Sequence, residues 1–142
     1  MSFRNWLITG AALLAAAPVL AHHAFSAEFD AKAPVTLQGP VTKVEWINPH
    51  AWVHIQTAEN GKTQVWAVEG GTPNTLLRAG ITRDTLKIGT EIVVRGYQSK
   101  DALCTPKCRA NGRDVTFPDG RKLFMGSSGT GAPKDGSDAT EK

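Results

Sequence analysis

The sequence predicts an all-β fold, a small barrel of five strands with one short helix between the third and fourth strands. Alternating apolar and polar residues flank Asn60–Gly61, a dipeptide that favours the type I′ turn of a β-hairpin because both positions need positive φ. Val35 to Trp46 and Arg109 to Phe117 have the pattern of further strands. Thr72–Pro73, with Gly80 as the stop, marks a helix of about two turns.

The first 21 residues have the layout of a secretory signal peptide. Arg4 precedes an apolar run from Trp6 to Leu20, and Val19–Leu20–Ala21 supplies tolerated residues before a cut. A run of about 15 residues is short for a membrane span. We therefore expect cleavage after Ala21, a periplasmic or secreted protein, and no membrane span in the mature form. An uncleaved anchor is the alternative.

The distribution of charge and the absence of known catalytic motifs indicate which classes of function to expect. The 16 Lys and Arg and the 13 Asp and Glu give a net charge of +3, and the basic residues are scattered, so we expect no nucleic-acid partner. The sequence has no Gly-rich phosphate loop, no G-x-S-x-G elbow and no H-E-x-x-H helix. We therefore expect a non-enzymatic protein with no catalytic residue and no required cofactor.

Residues 22–34 have no clear period, and we expect an N-terminal arm there that leads into a barrel domain over residues 35–126. In the first strand, Gly39–Pro40 indicates a bulge or bend, because Pro cannot donate to a strand ladder. A long bent first strand lets a small closed barrel use it in both of its sheets. Residues 127–142 are almost free of apolar residues, and we expect a disordered tail.

Ala51 to Thr57 and Thr63 to Glu69 form the predicted hairpin. Its turn places Glu59 opposite Lys62, and counting outward from that pair sets the register. Because side chains alternate between faces, one face carries the large apolar residues of both strands, which we assign to the core: Val53, Ile55, Trp66 and Val68. Three strands, a short helix and two strands are the topology of the OB-fold. A two-sheet sandwich is the alternative, but it needs more strands.

The candidate ligand-binding residues are Trp52, His54 and Glu69, on the outer face of the hairpin, with His50 at the corner before it. OB barrels hold ligands on this face, and an exposed Trp can stack on a flat ligand or a sugar ring. The alternative is that the arm or the helix covers Trp52, which then contributes only burial. We expect a monomer whose partner is a small ligand or an envelope protein.

Copper binding is the alternative function. Cleavage after Ala21 would make His22 the amino terminus, offering its α-amine and a ring nitrogen to one ion. Imidazole suits copper, which heads the affinity order of the divalent ions. The metal candidates are His22, His23 and His50. His54 lies roughly 13 Å from His50 in extended chain, so one ion takes both only if the corner folds back.

Cys104 and Cys108 are the only two cysteines. Export would place them in oxidising surroundings, and the three residues between them suggest a tight turn. We expect a disulfide, which would stabilise the fold by about 2 kcal/mol in the loop-entropy description. A thiolate pair for copper is the alternative.

Four stretches carry a resemblance to a known family: AHHAFSAEFD, VTKVEWINPHAWVHI, WAVEGGTPNTLLRAGITRDTLKIGTEIVVRGY and NGRDVTFPDGRKLFMGSSGTGAP. They are similar to the small secreted bacterial proteins of domain of unknown function 6152, over nearly all of the mature chain and most specifically at NPHAW, TPN and PDGRKLF. The resemblance implies export and one small β-rich domain. It implies no activity, cofactor or site residue. The two cysteines lie outside the family's pattern, which favours a local disulfide.

Overall fold

The computed structural model describes residues 25–126, and its strands form one closed barrel. In chain order the elements are β1 (Phe29–Glu45), β2 (Trp52–Glu59), β3 (Lys62–Glu69), helix α1 (Pro73–Arg78), β4 (Glu91–Ser99), β5 (Cys108–Thr116) and β6 (Lys122–Phe124). Residues 25–28, ahead of β1, are also helical. The order across the sheet is β3-β2-β1-β4-β5-β6.

A parallel pairing between β3 and β5 closes the sheet into a barrel. The other pairings are antiparallel. β1 is long enough to pair with β4 through its first half and with β2 through its second half. The ring β1-β2-β3-β5-β4 with a helix between β3 and β4 is the OB-fold topology. The predicted all-β barrel is therefore confirmed, and β6 adds a short strand beside β5.

Strand β1 begins at Phe29 rather than at Val35, so residues 29–34 belong to the barrel, where the sequence suggested an arm. The pairing of β1 with β4 shifts its register between Phe29 and Pro34. A register shift breaks the two-residue period, which hid this part of the strand in the sequence. Further along, β1 approaches β2 so closely that a Cβ on Gly39 would lie 1.9 Å from the Gln56 carbonyl oxygen. Only glycine fits this bend.

The β2–β3 hairpin has the predicted register, as these opposite pairs show: Glu59 and Lys62, Ile55 and Trp66, Val53 and Val68. Asn60 (φ 52) and Gly61 (φ 74) both have positive φ, as a type I′ turn requires. The three aliphatic residues of the predicted core face are fully buried, whereas Trp66 is half-buried and packs against the core from its edge. Trp46 lies at the core edge in the same way.

Helix α1 covers the core with Leu76, which is fully buried. Thr72 caps the helix, because its Oγ1 accepts a hydrogen bond from the N–H of Thr75 at 3.1 Å.

Cys104 and Cys108 form the predicted disulfide. The disulfide joins the loop before β5 to the first residue of that strand and so fixes how the chain enters β5.

No helix within residues 25–126 is long and apolar enough to cross a membrane. The predicted signal peptide (residues 1–21) and the predicted disordered tail (residues 127–142) lie outside the described residues, as do His22 and His23. These predictions stay untested.

Candidate functional site

The outer face of the hairpin continues across β1 and β5 as two rows of side chains. The first row contains Lys43, His54, Ala67 and Arg109. The second row contains Glu45, Trp52, Glu69 and Asn111. Three of the four predicted ligand residues therefore share this face, as the alternation of side chains along a strand requires.

A cavity of about 270 Å³ lies on this face, and we call it the groove. Its lining residues come from four strands and from the loops before β2 and β5: Glu45, Ile47, Trp52, His54, Ala67, Lys107 and Arg109. Pockets for small ligands usually measure about 300–1,000 Å³. The volume of the groove lies just below this range, so the groove suits a small ligand or one ring of a larger ligand.

Trp52 forms one wall of the groove and stays partly exposed. The guanidinium carbon of Arg109 lies 5.6 Å from the centre of the indole ring, within the range of a cation–π contact. The ring is thus neither free nor fully buried. A side chain from β5 orients it and leaves part of its surface to solvent.

His54 and Glu45 form a polar wall next to Trp52. His54 Nε2 lies 2.6 Å from Glu45 Oε2, and Lys43 Nζ donates to Glu45 Oε1 at 2.9 Å. The hydrogen bonds from Lys43 and then from His54 lower the pKa of Glu45 to about 2. We expected His54 to be exposed for ligand contact, but it is buried. The hydrogen bond from Nε2 to the Glu45 carboxylate orients the buried ring, so His54 is a fixed part of the wall.

His50 and Glu69 meet beside the groove. His50 Nδ1 lies 2.5 Å from Glu69 Oε1. Glu69 is buried as well, against the prediction that it faces solvent, because the corner before β2 brings His50 over it. Burial raises the pKa of Glu69. Next to it in the register, the Oδ1 atom of Asn111 is buried and has no hydrogen-bond partner among the described residues.

The copper alternative gains no support from the described part of the chain. Within residues 25–126, no group of three or more His, Cys, Asp or Glu side chains could hold a metal ion. His50 is paired with Glu69 and His54 with Glu45. The two cysteines are joined to each other. A copper site that depends on His22 and His23 stays a prediction.

Sequence reasoning missed four residues that line the groove: Glu45, Ile47, Lys107 and Arg109. One signal could have found Arg109. It follows Cys108 in β5, and Cys108 and Ala110 both point into the barrel, so alternation turns Arg109 outward. Its position beside Trp52 depends on the parallel pairing of β3 with β5, which no local pattern predicts.

The low pKa of Glu45 predicts how stability depends on pH at the acid end. A carboxylate with a lowered pKa in the folded state stabilises the fold above its unfolded pKa of 4.5 and loses that contribution as the pH falls towards about 2. We expect the melting temperature of Glu45→Gln to fall less than that of the wild type between these limits, measured by circular dichroism. Glu59→Gln, at the exposed hairpin end, is the control. Parallel curves for Glu45→Gln and the wild type would contradict the prediction.

Comparison with known proteins gives a family and a likeness to solved structures. The model of a family described as "Family of unknown function (DUF6152)" matches residues 11–106. Among solved structures, the chain is similar to the mitochondrial single-stranded DNA binding protein Rim1 of S. cerevisiae. The identity is 8%, the TM-score is 0.45, and the match covers 67% of this chain and 96% of that chain. None of the curated proteins matches the sequence.

Proposed function

The chain belongs to the family of unknown function DUF6152, and from that premise we propose that it is a binding module that holds a small ligand in the groove. Membership of the family supplies no activity, so the support comes from position and chemistry. OB barrels bind ligands on the face of their second and third strands, between the loops that precede the second and fifth. The groove lies at this place, with Ile47 from the first of these loops and Lys107 from the second.

The observation that carries the proposal is apolar surface beside charged side chains. The apolar lining residues are Ile47, Trp52 and Ala67, of which Ile47 is 51% exposed, Trp52 is partly exposed and Ala67 is buried. Apolar surface that stays open beside charged groups marks a place where a ligand can be buried. A flat ring placed against Trp52 would gain about 1–3 kcal/mol by stacking, as measured for bases on aromatic side chains.

We also propose that the module acts without catalysis, as an exported monomer. Among residues 25–126, no serine, threonine or free cysteine lines the groove as a candidate nucleophile, which supports the first point. The leader pattern of residues 1–21 supports export. We propose a small molecule or an envelope protein as the partner rather than nucleic acid, because the basic residues are scattered along the sequence.

A titration followed by NMR tests the binding proposal. Phenylacetamide, a neutral aromatic molecule, is added to the ¹⁵N-labelled protein processed after Ala21. We expect saturable shifts at the amides of Trp52, Ala67 and Arg109, with a Kd on the order of 1–10 mM for so small a ligand. Amides that line two other cavities serve as controls: Gln38 and Ile92 in one, Thr63 and Gln64 in the other. No shifts, or shifts confined to those amides, would contradict the proposal.

A further inference from the structure

We infer that the ligand of the groove carries a carboxylate, and that the carboxylate of Glu28 occupies its position in the free protein. This inference rests on the proposed function and adds the chemical class of the ligand. Three features support it: the balance of charges around the groove, the geometry of Arg109, and the way in which residues 25–28 are held.

Three carboxylates around the groove have basic partners, as these pairs show: Glu45 with Lys43 and His54, Glu69 with His50, and Glu28 with Arg109. Asp101, which also interacts electrostatically with Arg109, accepts hydrogen bonds from Ser99 and from the N–H of Leu103. Lys107 also lines the groove and is exposed. It forms no ion pair with any carboxylate of residues 25–126. The Cys104–Cys108 disulfide encloses the backbone of this lysine in a short ring and so fixes the point from which its side chain extends. Lys107 is therefore the groove side chain whose positive charge is not matched by a carboxylate of residues 25–126, and the wall that it forms with Arg109 favours an anionic ligand.

The guanidinium of Arg109 supplies the hydrogen-bond donors of this wall. Its guanidinium rests on the ring of Trp52, a contact that restrains the plane of its five N–H groups. One of these donors, at Nη2, reaches Glu28 Oε2 at 2.9 Å. Among the described residues, no other acceptor contacts this guanidinium. A free carboxylate can accept two parallel hydrogen bonds from such a group, whereas Glu28 accepts one.

A ligand carboxylate can replace the Glu28 carboxylate as the partner of Arg109. The side chains of Glu28 and Arg109 are 55% and 38% exposed, and ion pairs at exposed positions are weak. Other contacts keep the segment in place without the carboxylate. Phe25 packs on Phe29 and Tyr97, with ring centres 5.9 Å and 5.6 Å apart, and the N–H of Lys100 donates to the Glu28 carbonyl at 2.9 Å. A ligand can therefore displace one side chain without unfolding the segment.

Two probes of equal size test the inference. Phenylacetate and phenylacetamide have the same ring and the same number of heavy atoms, but only the first is an anion. We expect phenylacetate to bind the wild-type protein about tenfold more tightly, because charge-assisted hydrogen bonds are the stronger class. Arg109→Gln should remove most of the difference between the two probes, and the part that remains should come from Lys107. Glu28→Gln should strengthen phenylacetate binding about threefold and leave phenylacetamide binding unchanged.

The chain supplies a matched control for Arg109. Arg121 also rests on an aromatic ring, with its guanidinium carbon 5.5 Å from the centre of Phe117, and pairs with a carboxylate, Asp119, at 2.7 Å. Arg121→Gln should leave both affinities unchanged, and Lys107→Gln should lower the affinity for phenylacetate alone. Amide spectra of each variant establish that it is folded.

The outcomes separate the two proposals. If neither probe binds in the groove, the proposed function is wrong. If both probes bind there with equal affinity, or if Arg109→Gln behaves like Arg121→Gln, only the carboxylate inference is overturned. Unchanged phenylacetate binding in Glu28→Gln would overturn the assignment of Glu28 as the internal occupant.

Discussion

Alanine at Ile55 is expected to lower the free energy of unfolding by about 2–5 kcal/mol, the usual range for a buried aliphatic side chain. Ile55 is 0% exposed and lies between Val41 of β1 and Trp66 of β3. Because the barrel is closed by the pairing of β3 with β5, its strands cannot easily move inward to fill the cavity. The cost should therefore lie towards the upper end of the range.

Urea unfolding of Ile55→Ala beside Gln56→Ala measures this difference. Gln56 is the next residue of β2 and lies on the outer, partly exposed face. Its replacement should change the free energy of unfolding by no more than about 0.5 kcal/mol. Ile55 and Gln56 are neighbours on opposite faces of β2, so comparable costs for both variants would contradict the hairpin register on which the groove depends.

Alanine at Trp52 is expected to weaken phenylacetamide binding by about fivefold to 150-fold. Loss of one aromatic stacking partner costs about 1–3 kcal/mol, and each 1.4 kcal/mol is a factor of ten in affinity. Phenylacetate should lose affinity as well, because Arg109 loses the ring that orients it. The loss of folding stability should be smaller than for Ile55→Ala, because Trp52 is only partly buried.

The same titration with Trp52→Phe is the matched control. Phenylalanine keeps an aromatic face at this position, and most of the affinity should return. If Trp52→Ala binds both probes as the wild type does, the indole ring is not part of the binding surface. If Trp52→Ala instead costs as much stability as Ile55→Ala, the ring is a core residue.

Local chemistry explains why the hairpin could be predicted. Asn60 and Gly61 fix the turn, and the alternation of Val53 and Ile55 with Trp52 and His54 fixes the faces. These signals lie within a few residues of one another, and the register follows from them by counting. The start of β1 could not be found in this way, because the register shift after Phe29 breaks the period.

The site was predicted less completely, for two physical reasons. The alternation of side chains along a strand predicts the face on which a side chain lies, but not whether a neighbour covers it. His54 and Glu69 were therefore expected in solvent, whereas both are buried and contact Glu45 and His50, respectively. The positive wall comes from Lys107 and Arg109, brought to Trp52 by a parallel pairing between distant strands. Pairing of that kind depends on the closure of the whole barrel and leaves no nearby mark in the sequence.

The most direct test of the groove as a ligand site is a set of intermolecular nuclear Overhauser effects between phenylacetate and the ¹³C,¹⁵N-labelled protein. We predict contacts from the ring protons of the probe to the Trp52 indole, the Ala67 methyl and the Ile47 side chain. Two other cavities serve as the comparison: one at the end of the β2–β3 hairpin, lined by Thr63 and Trp66 among others, and one lined by Ile92 and Phe117 among others. Contacts from the probe only to residues of either of these cavities would contradict the account.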